Sequence, residues 1–234
     1  MERLDRILAG TGRWSRREIG RLVKAGRVSV DGMPAQAPDE KYDPEANFTV
    51  DGEPVSGRRL VYLMLHKPAG VISATEDPRK RTVLDLLPEH MRRAGLFPVG
   101  RLDRDTEGLL LLTNDGPLAH QLLSPKQHVD KTYFVRADSP FDEEDEAAFA
   151  SGLILRDGLK CLPARLERLE ACDEALVTIQ EGKYHQIKRM VASRHKQVVY
   201  LKRLTMGPLH LDPALEKGEW RPLTPEELVA LGLS

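Results

Sequence analysis

The sequence predicts an α+β fold, with a small N-terminal α/β domain followed by a mainly antiparallel sheet and flanking helices. Residues 164–169 and 175–179 alternate apolar and polar side chains, as neighbouring antiparallel strands do. Between such stretches lie segments with helical periodicity, such as 185–194. With 234 residues, 41% of them hydrophobic, the chain can form one sizeable core and a small second domain.

The N-terminal segment is predicted to contain two short helices closed by a β ribbon. Residues 3–9 place their apolar side chains on one face, and a second helix starts at Ser15, which has the capping-box partner Glu18. The strands 28–30 and 48–50 each run into an Asp-Gly turn. A stretch rich in Pro, Gly and Ser, residues 53–57, then predicts a link. We therefore expect domains at 1–57 and 58–234.

Basic residues are segregated although the formal net charge is only −1. Residues 1–32 contain eight Arg or Lys against four acids, and residues 183–203 contain seven with no acid. Such patches indicate a polyanionic partner, and arginine suits phosphate oxygens, although a solvated helix face is the simpler alternative. The candidate phosphate-binding side chains of the N-terminal segment are Arg13, Arg16, Arg17, Lys24 and Arg27.

The most informative stretch is residues 100–108, of which five are charged and which run directly into four leucines. The apolar run 109–112, bounded by Gly108 and by residues 113–116, predicts a buried strand. A carboxylate at the edge of the core takes up a proton more easily unless a cation lies beside it. This pattern makes Asp103 or Asp105 a functional acid, with a solvated loop of local ion pairs as the alternative.

A second cationic stretch, residues 183–189, lies at the predicted start of the helix 185–194. Lysines there oppose the helix dipole, so their charge is expected to serve a phosphate or a buried carboxylate. Tyr133, on the predicted strand 132–137, offers a flat ring for stacking, with core packing as the alternative.

Several classes of protein are excluded. Cys161 and Cys172 are too few for a zinc site or a disulfide framework, and the seven histidines lack metal-site spacing. We expect no metal and no cofactor. The charged N-terminus and the lack of a long apolar run exclude a signal peptide and a membrane helix. We expect a cytoplasmic monomer.

These residues carry two resemblances. Residues 3–5, 15–18 and 26–32 resemble the S4 RNA-binding domain. The rest of the chain resembles the pseudouridine synthases, in particular the RsuA-like branch that modifies ribosomal RNA. That second resemblance is carried by residues 65–70, by Gly100-Arg101-Leu102-Asp103 with residues 106–116, by Lys131-Thr132-Tyr133 and by residues 181–190.

The resemblance implies roles for individual residues. It makes Asp103, not Asp105, the catalytic carboxylate, and Tyr133 the ring that stacks on the target uracil. Lys188 matches the basic residue that pairs with the aspartate, with Arg189 as the other candidate. The remaining implied contacts with the substrate or the RNA are Arg101, Arg104, His185, Arg189 and Leu201, the last packed beneath the site.

The implied reaction converts one uridine of ribosomal RNA to pseudouridine. The base flips out, Asp103 assists cleavage of the C1′–N1 bond, and the uracil is reattached through C5. Whether Asp103 acts as nucleophile or base stays open. Residues 184–190 are more similar to enzymes acting on 16S rRNA, so the expected partner is that RNA or the assembling small subunit. The alternatives are a 23S rRNA enzyme and a non-catalytic RNA-binding or ribosome-assembly protein.

Overall fold

The structure is a computed structural model that describes residues 1–11, 13–44, 46–55 and 60–233. The chain divides into two compact units. The first consists of Met1–Tyr62, Leu84–Phe97 and Thr113–Asp115, and the second of Leu63–Val83, Pro98–Leu112 and Gly116–Ser234. The predicted boundary between residues 57 and 58 falls outside the described residues.

In its described residues, the first unit contains short strands and three α-helices. They are β1 (Glu2–Arg3), α1 (Leu4–Ala9), α2 (Arg16–Lys24), β2 (Val28–Val30), β3 (Met33–Pro34), β4 (Lys41–Tyr42), β5 (Phe48–Val50), β6 (Glu53–Val55), a 3-10 turn (Leu84–Leu86) and α3 (Glu89–Arg92).

The predicted capping box at the start of α2 is confirmed. The backbone N–H of Ser15 donates to Glu18 over 2.7 Å, and the N–H of Glu18 donates to the Ser15 hydroxyl over 3.3 Å. Each bond satisfies a backbone donor that the helix leaves free. The apolar faces of α1 and α2 pack on β2 and β5 in one buried cluster, whose members include Leu4, Ile7, Leu8, Ile19, Leu22, Val23, Val28, Val30, Phe48 and Val50.

Both predicted Asp-Gly turns form hairpins. Asp31 and Gly32 join β2 to β3, and Asp51 and Gly52 join β5 to β6, all four with positive φ angles between 49° and 80°. Two left-handed residues in succession match the twist of the flanking strands. The predicted link is wrong in its first part, because Glu53–Val55 is strand β6. Residues 56–57 lie outside the described part of the chain.

The remaining elements form a larger sheet, a separate two-stranded sheet of β14 and β15, and several helices. In chain order they are β7 (Tyr62–Lys67), β8 (Phe97–Pro98), β9 (Glu107–Thr113), α4 (Gly116–Leu123), a 3-10 turn (Pro125–Gln127), β10 (Lys131–Ala137), α5 (Glu143–Ser151), β11 (Arg165–Arg168), β12 (Glu174–Ile179), α6 (Gln186–Ser193), β13 (Val198–Arg203), β14 (Thr205–Met206), β15 (Leu209–His210), β16 (Trp220–Pro222) and α7 (Pro225–Ala230).

The sheet has the strand order β11-β12-β10-β13-β9-β7-β16, and β8 pairs with β9. Its β11/β12, β10/β12, β10/β13 and β7/β16 pairs are antiparallel, which confirms the predicted mainly antiparallel α+β fold. The pair β9/β13 is parallel, with Glu107 opposite Lys202 and Gly108 opposite Arg203. No helix of the described chain has the length and apolar character needed to cross a membrane.

The predicted buried strand at residues 109–112 is confirmed, since every residue of β9 is buried. At its start β9 approaches β13 very closely. A Cβ added to Gly108 would lie 2.2 Å from the carbonyl oxygen of Arg203 and 2.6 Å from its backbone nitrogen. Gly108 also has a φ of +104°, which side chains disfavour. Arg203 is itself buried and donates through Nε to the carbonyl of Leu109 over 2.8 Å.

Some predicted boundaries shift. The apolar residues 60–65 predict a strand that ends before a turn at 66–70; the strand is β7, and it continues through His66 and Lys67. Residues 71–72 predict a further strand, which is wrong, since Ile72 makes an isolated bridge to Thr82. Residues 143–151, followed by Gly152, predict a helix, which is confirmed with these bounds. The strands β14, β15 and β16 were missed because two or three residues carry no readable period.

We predict that Gly108→Ala lowers the free energy of unfolding by about 3 kcal/mol, because the new methyl group overlaps the backbone of β13 and the φ angle is unfavourable. Urea denaturation of both proteins measures this difference. The matched control is Gly116→Ala, where an added Cβ meets nothing within 4 Å. A loss below about 1 kcal/mol at Gly108 would contradict the close approach.

Candidate active site

A cleft in the second unit brings together six of the residues that the sequence singled out. It lies where the loop before β9 meets the start of α6 and the strands β10 and β13. Those six are Arg101, Asp103, Tyr133, His185, Lys188 and Leu201, and they are joined by Leu102, Thr106, Ile179, Gly182, Lys183, Gln186 and Ile187.

The centre of the cleft is an ion cluster. Lys188 Nζ lies 3.0 Å from Asp103 Oδ2 and 2.5 Å from Asp105 Oδ1, so one ammonium bridges both carboxylates. His185 Nε2 lies 3.4 Å from the other oxygen of Asp103. Burial acts to lower the pKa of Lys188, but the bonds to Asp105 and Asp103 outweigh it and raise that pKa. The hydrogen bond from Lys188 lowers the pKa of Asp105.

The two carboxylates differ in exposure. The side chain of Asp103 is 26% exposed and that of Asp105 is 75% exposed. Asp103 follows the buried Leu102, and its carbonyl accepts a hydrogen bond from the N–H of Thr106 over 3.1 Å. The loop therefore makes a tight turn that keeps Asp103 at the edge of the core and turns Asp105 to solvent.

Lys67 anchors this turn from the buried side. This role of Lys67 was not identified from the sequence. Its side chain is fully buried, and Nζ donates to the carbonyls of Thr106, Asp103 and Pro68 over 2.8, 3.0 and 3.1 Å. Burial lowers the pKa of Lys67 to about 8, although the nearby carboxylates of Asp105 and Asp103 act against this. A lysine at the end of an apolar strand was the signal that could have revealed it.

Tyr133 and Leu201 form the floor of the cleft. Tyr133 lies on β10 opposite Arg203, and Leu201 lies on β13 opposite Val135, so the antiparallel register fixes their separation. Both side chains are buried, at 8% and 6% exposure. The Tyr133 ring lines the cleft and at the same time packs in the core, so both predicted roles of this residue are compatible with its position.

The turn before α6 is held by Gln186. This side chain is buried, accepts from the N–H of Lys183 over 2.9 Å and donates to Glu181 over 2.6 Å. His185, the N-cap of α6, has a φ of +47° and a ψ of +36°. Few residues other than glycine adopt this left-handed conformation, and histidine is among the more tolerant. The conformation places the His185 ring beside Asp103.

A second buried acid lies next to the loop. Glu107 accepts from the Tyr200 hydroxyl over 2.6 Å and pairs with Lys217 over 2.8 Å. Burial acts to raise the pKa of Glu107, but the bonds from Lys217 and Tyr200 outweigh it and lower that pKa. Sequence reasoning did not single out these three residues, which belong to separate strands and loops. They tie the start of β9 to β13 and to the segment before β16.

The other predicted RNA-contacting residues of the second unit lie outside the ion cluster. Arg104 is exposed and donates to the carbonyl of Gly70 over 3.1 Å. Arg189, the alternative partner of Asp103, instead pairs with Asp157 over 2.5 Å. The cation beside Asp103 is thus Lys188.

The predicted phosphate-binding residues of the first unit are exposed. Arg16, Arg17 and Lys24 project from α2, and Arg13 precedes it. Arg27 makes two bonds to Asp51, of 2.5 and 2.6 Å, so its charge is already balanced.

Comparisons with known proteins identify the family to which the chain is similar. A model of the family described as RNA pseudouridylate synthase matches residues 61–193, and the S4 domain model matches residues 2–48. A solved structure described as pseudouridylate synthase superposes with a TM-score of 0.71 and 34% identity, over 99% of this chain and all of that one. The fold and the cleft therefore define an enzyme with an S4 domain.

The similarity to curated proteins identifies the branch of the family. The uncharacterized RNA pseudouridine synthase YtzG of Bacillus subtilis is 52% identical over 97% of this chain and 96% of its own length. Ribosomal small subunit pseudouridine synthase A is 42% identical in Pseudomonas aeruginosa, over 98% of this chain and 100% of that protein. The Escherichia coli K12 protein of that name is 40% identical over 98% of this chain and 99% of its own length. The chain belongs to the RsuA-like family of pseudouridine synthases.

We predict that Lys67→Met lowers the free energy of unfolding by about 2–4 kcal/mol. The substitution leaves the carbonyls of Asp103 and Thr106 without the donor that they share. Thermal and urea unfolding measure the loss. The exposed Lys126→Met is the matched control and should change stability by less than about 0.5 kcal/mol. Equal stability of the two variants would mean that Lys67 does not anchor the turn.

Proposed function

We propose that this pseudouridine synthase isomerises one uridine in the 16S RNA of the small ribosomal subunit. The observation that carries the proposal is the pairing of Asp103 with Lys188 in a cleft whose floor carries Tyr133. The relatives from Pseudomonas aeruginosa and Escherichia coli support the choice of RNA, since both are named for the small ribosomal subunit.

The geometry suits the chemistry of a single flipped nucleotide. A uridine must leave its stack before its glycosidic bond can be reached. Tyr133 then supports the uracil ring, and Asp103 acts at the sugar or at the base as nucleophile or general base. The C1′–N1 bond breaks, the uracil turns, and a C1′–C5 bond forms. C5 loses its proton and N1 gains one, so the product is an isomer and no electrons are exchanged.

Lys188 supplies the electrostatic support for this step. An ammonium 3.0 Å from Asp103 stabilises its negative charge in a partly desolvated site. Asp105 shares that ammonium from the solvent side, so Lys188 is held from two directions. Because Arg189 is engaged by Asp157, we assign this role to Lys188 alone.

The basic face of α2 supplies affinity for the phosphate backbone. Arg16, Arg17 and Lys24 are exposed on that helix, where they can neutralise phosphates and release counterions. A binder without chemistry would need these arginines but would have no use for a carboxylate in a cationic cleft. This favours catalysis over an assembly role.

Tritium release from C5-labelled RNA tests the proposal directly. Transcripts of 16S and 23S rRNA and assembling 30S particles are compared as substrates, and pseudouridines are mapped in rRNA from cells with and without the protein. Release from 16S RNA or its particles only is the expected result. Release only from 23S RNA would show that the substrate is 23S rRNA. No release from either RNA would overturn the proposed activity.

We predict that Asp103→Asn abolishes turnover, by more than about a thousandfold, while RNA affinity changes little, because the amide keeps the shape but loses the charge. Asp105→Asn is the matched comparison and should cost no more than about tenfold, since Lys188 retains Asp103. Tritium release and filter binding measure both effects. Turnover of Asp103→Asn within about tenfold of the parent, roughly 1.4 kcal/mol in barrier, would reject the assignment.

We predict that Lys188→Met lowers the single-turnover rate by at least about a hundredfold and weakens RNA binding much less. Lys188→Arg should retain partial activity, because the charge remains while its geometry changes. Arg189→Met is the comparison and should affect binding more than rate. Rates at saturating RNA are measured beside binding at two salt concentrations. A Lys188→Met protein that reacts at the parent rate but binds with a shallower salt dependence would make Lys188 a phosphate ligand.

A further inference from the structure

Tyr184 is the exposed aromatic side chain next to the cleft. Three quarters of its surface, 75%, is accessible, and it is the one aromatic among the large apolar side chains that are exposed in the described part of the chain. Its neighbours in sequence, Lys183 and His185, line the cleft, whereas Tyr184 stands outside the lining. The ring therefore lies at the rim and not at the position of the target uracil.

The exposed ring is nevertheless fixed. It stacks on the His185 imidazole with a centroid distance of 3.9 Å and an interplanar angle of 16°. One face is covered by this stack, and the high exposure leaves the other face open. His185 is in turn close to Asp103, at 3.4 Å, so the stack extends outward from the ion cluster.

The backbone beneath the ring is also constrained. Gln186, buried, bridges the N–H of Lys183 and the carboxylate of Glu181, and the left-handed His185 sets the direction of the turn. An exposed aromatic ring on a mobile loop would lose entropy on binding. A ring already held by a stack and a clamped turn loses little, which is the condition for a preorganised binding surface.

The cations beside the ring are ordered by ion pairs. Lys183 pairs with Glu181 at 2.8 Å. Arg189 pairs with Asp157 at 2.5 Å, and its Nη1 lies 3.4 Å from the carbonyl oxygen of Tyr184. Because the charges of both cations are already balanced, the open aromatic face is the feature suited to an unstacked base of single-stranded RNA.

We propose that Tyr184 is a stacking platform for a nucleobase that flanks the target uridine. The proposal rests on the proposed function, because it assumes that the target base enters the cleft beside Tyr133. When that base flips out, an adjacent base loses its stacking partner, and the open face of Tyr184 replaces it. The ligand is thus a nucleobase of the RNA held by its π face, with the stack on His185 behind it.

The test uses the full-length protein and a short 16S fragment that contains the mapped uridine. Tyr184→Leu should weaken binding and raise KM about tenfold, with the single-turnover rate at saturation within about twofold of the parent. Tyr184→Phe and Tyr184→Trp should bind as the parent does, because a flat ring is retained. Val229→Ala, an exposed apolar position in α7, is the control and should change nothing.

An abasic scan of the fragment identifies the partner base. One flanking abasic site should weaken the parent about tenfold and should not weaken Tyr184→Leu further, since both changes remove the same contact. The proposal is overturned if Tyr184→Leu binds the RNA as tightly as the parent does, or if Tyr184→Phe binds it as weakly as Tyr184→Leu. If Tyr184→Leu has a lower single-turnover rate at saturating RNA, the ring supports His185 instead of binding a base. A parent inactive on every rRNA defeats the proposed function, whereas an active parent with an indifferent Tyr184 series defeats only this inference.

Discussion

The close contact between β9 and β13 at Gly108 is the constraint on which the site depends. The absence of a side chain there lets the backbone of Arg203 approach to a distance that any Cβ would prevent. Asp103 lies five residues before Gly108, on the loop that enters β9, and Leu201 lies two residues before Arg203. The parallel register of these two strands therefore sets how far the carboxylate stands from the floor of the cleft.

Two lysines fix the conformation of the loop that precedes β9. Lys67 donates hydrogen bonds to backbone carbonyls of this loop from the core side, and Lys188 pairs with the loop's carboxylates from the solvent side. Lys67 thus bonds the backbone of the loop while Lys188 bonds the carboxylates of Asp103 and Asp105, so two lysines hold one turn. Such a network fixes geometry more than it adds stability, because burying ions costs about as much as pairing them returns. A reaction that needs a carboxylate in one orientation benefits from this rigidity.

Much of the fold could be predicted from local signals. The capping box at Ser15 and the two Asp-Gly turns appear in the structure where the sequence indicated them. The reason is that each feature depends on atoms within four residues of one another. The short strands β1, β4, β14 and β15 could not be predicted, since two residues show no alternation. The strand β1 also pairs with a segment far along the chain, β4, whereas β14 and β15 are neighbours joined by a short turn.

The sequence by itself indicated the class of protein through its resemblance to the pseudouridine synthases. The charge pattern and the buried strand of residues 100–116 limited the acid to Asp103 or Asp105, and only the resemblance favoured Asp103. It also limited the cation to Lys188 or Arg189. Only the tertiary structure decided between them, and only it revealed Lys67 as the anchor of the turn. Lys188 and Arg189 are neighbours on a helix, so their side chains point in different directions that the sequence does not show. A lysine at the end of an apolar strand, such as Lys67, looks in the sequence like the end of the strand and not like a buried residue. Which partner each side chain meets depends on the register of strands far apart in the chain.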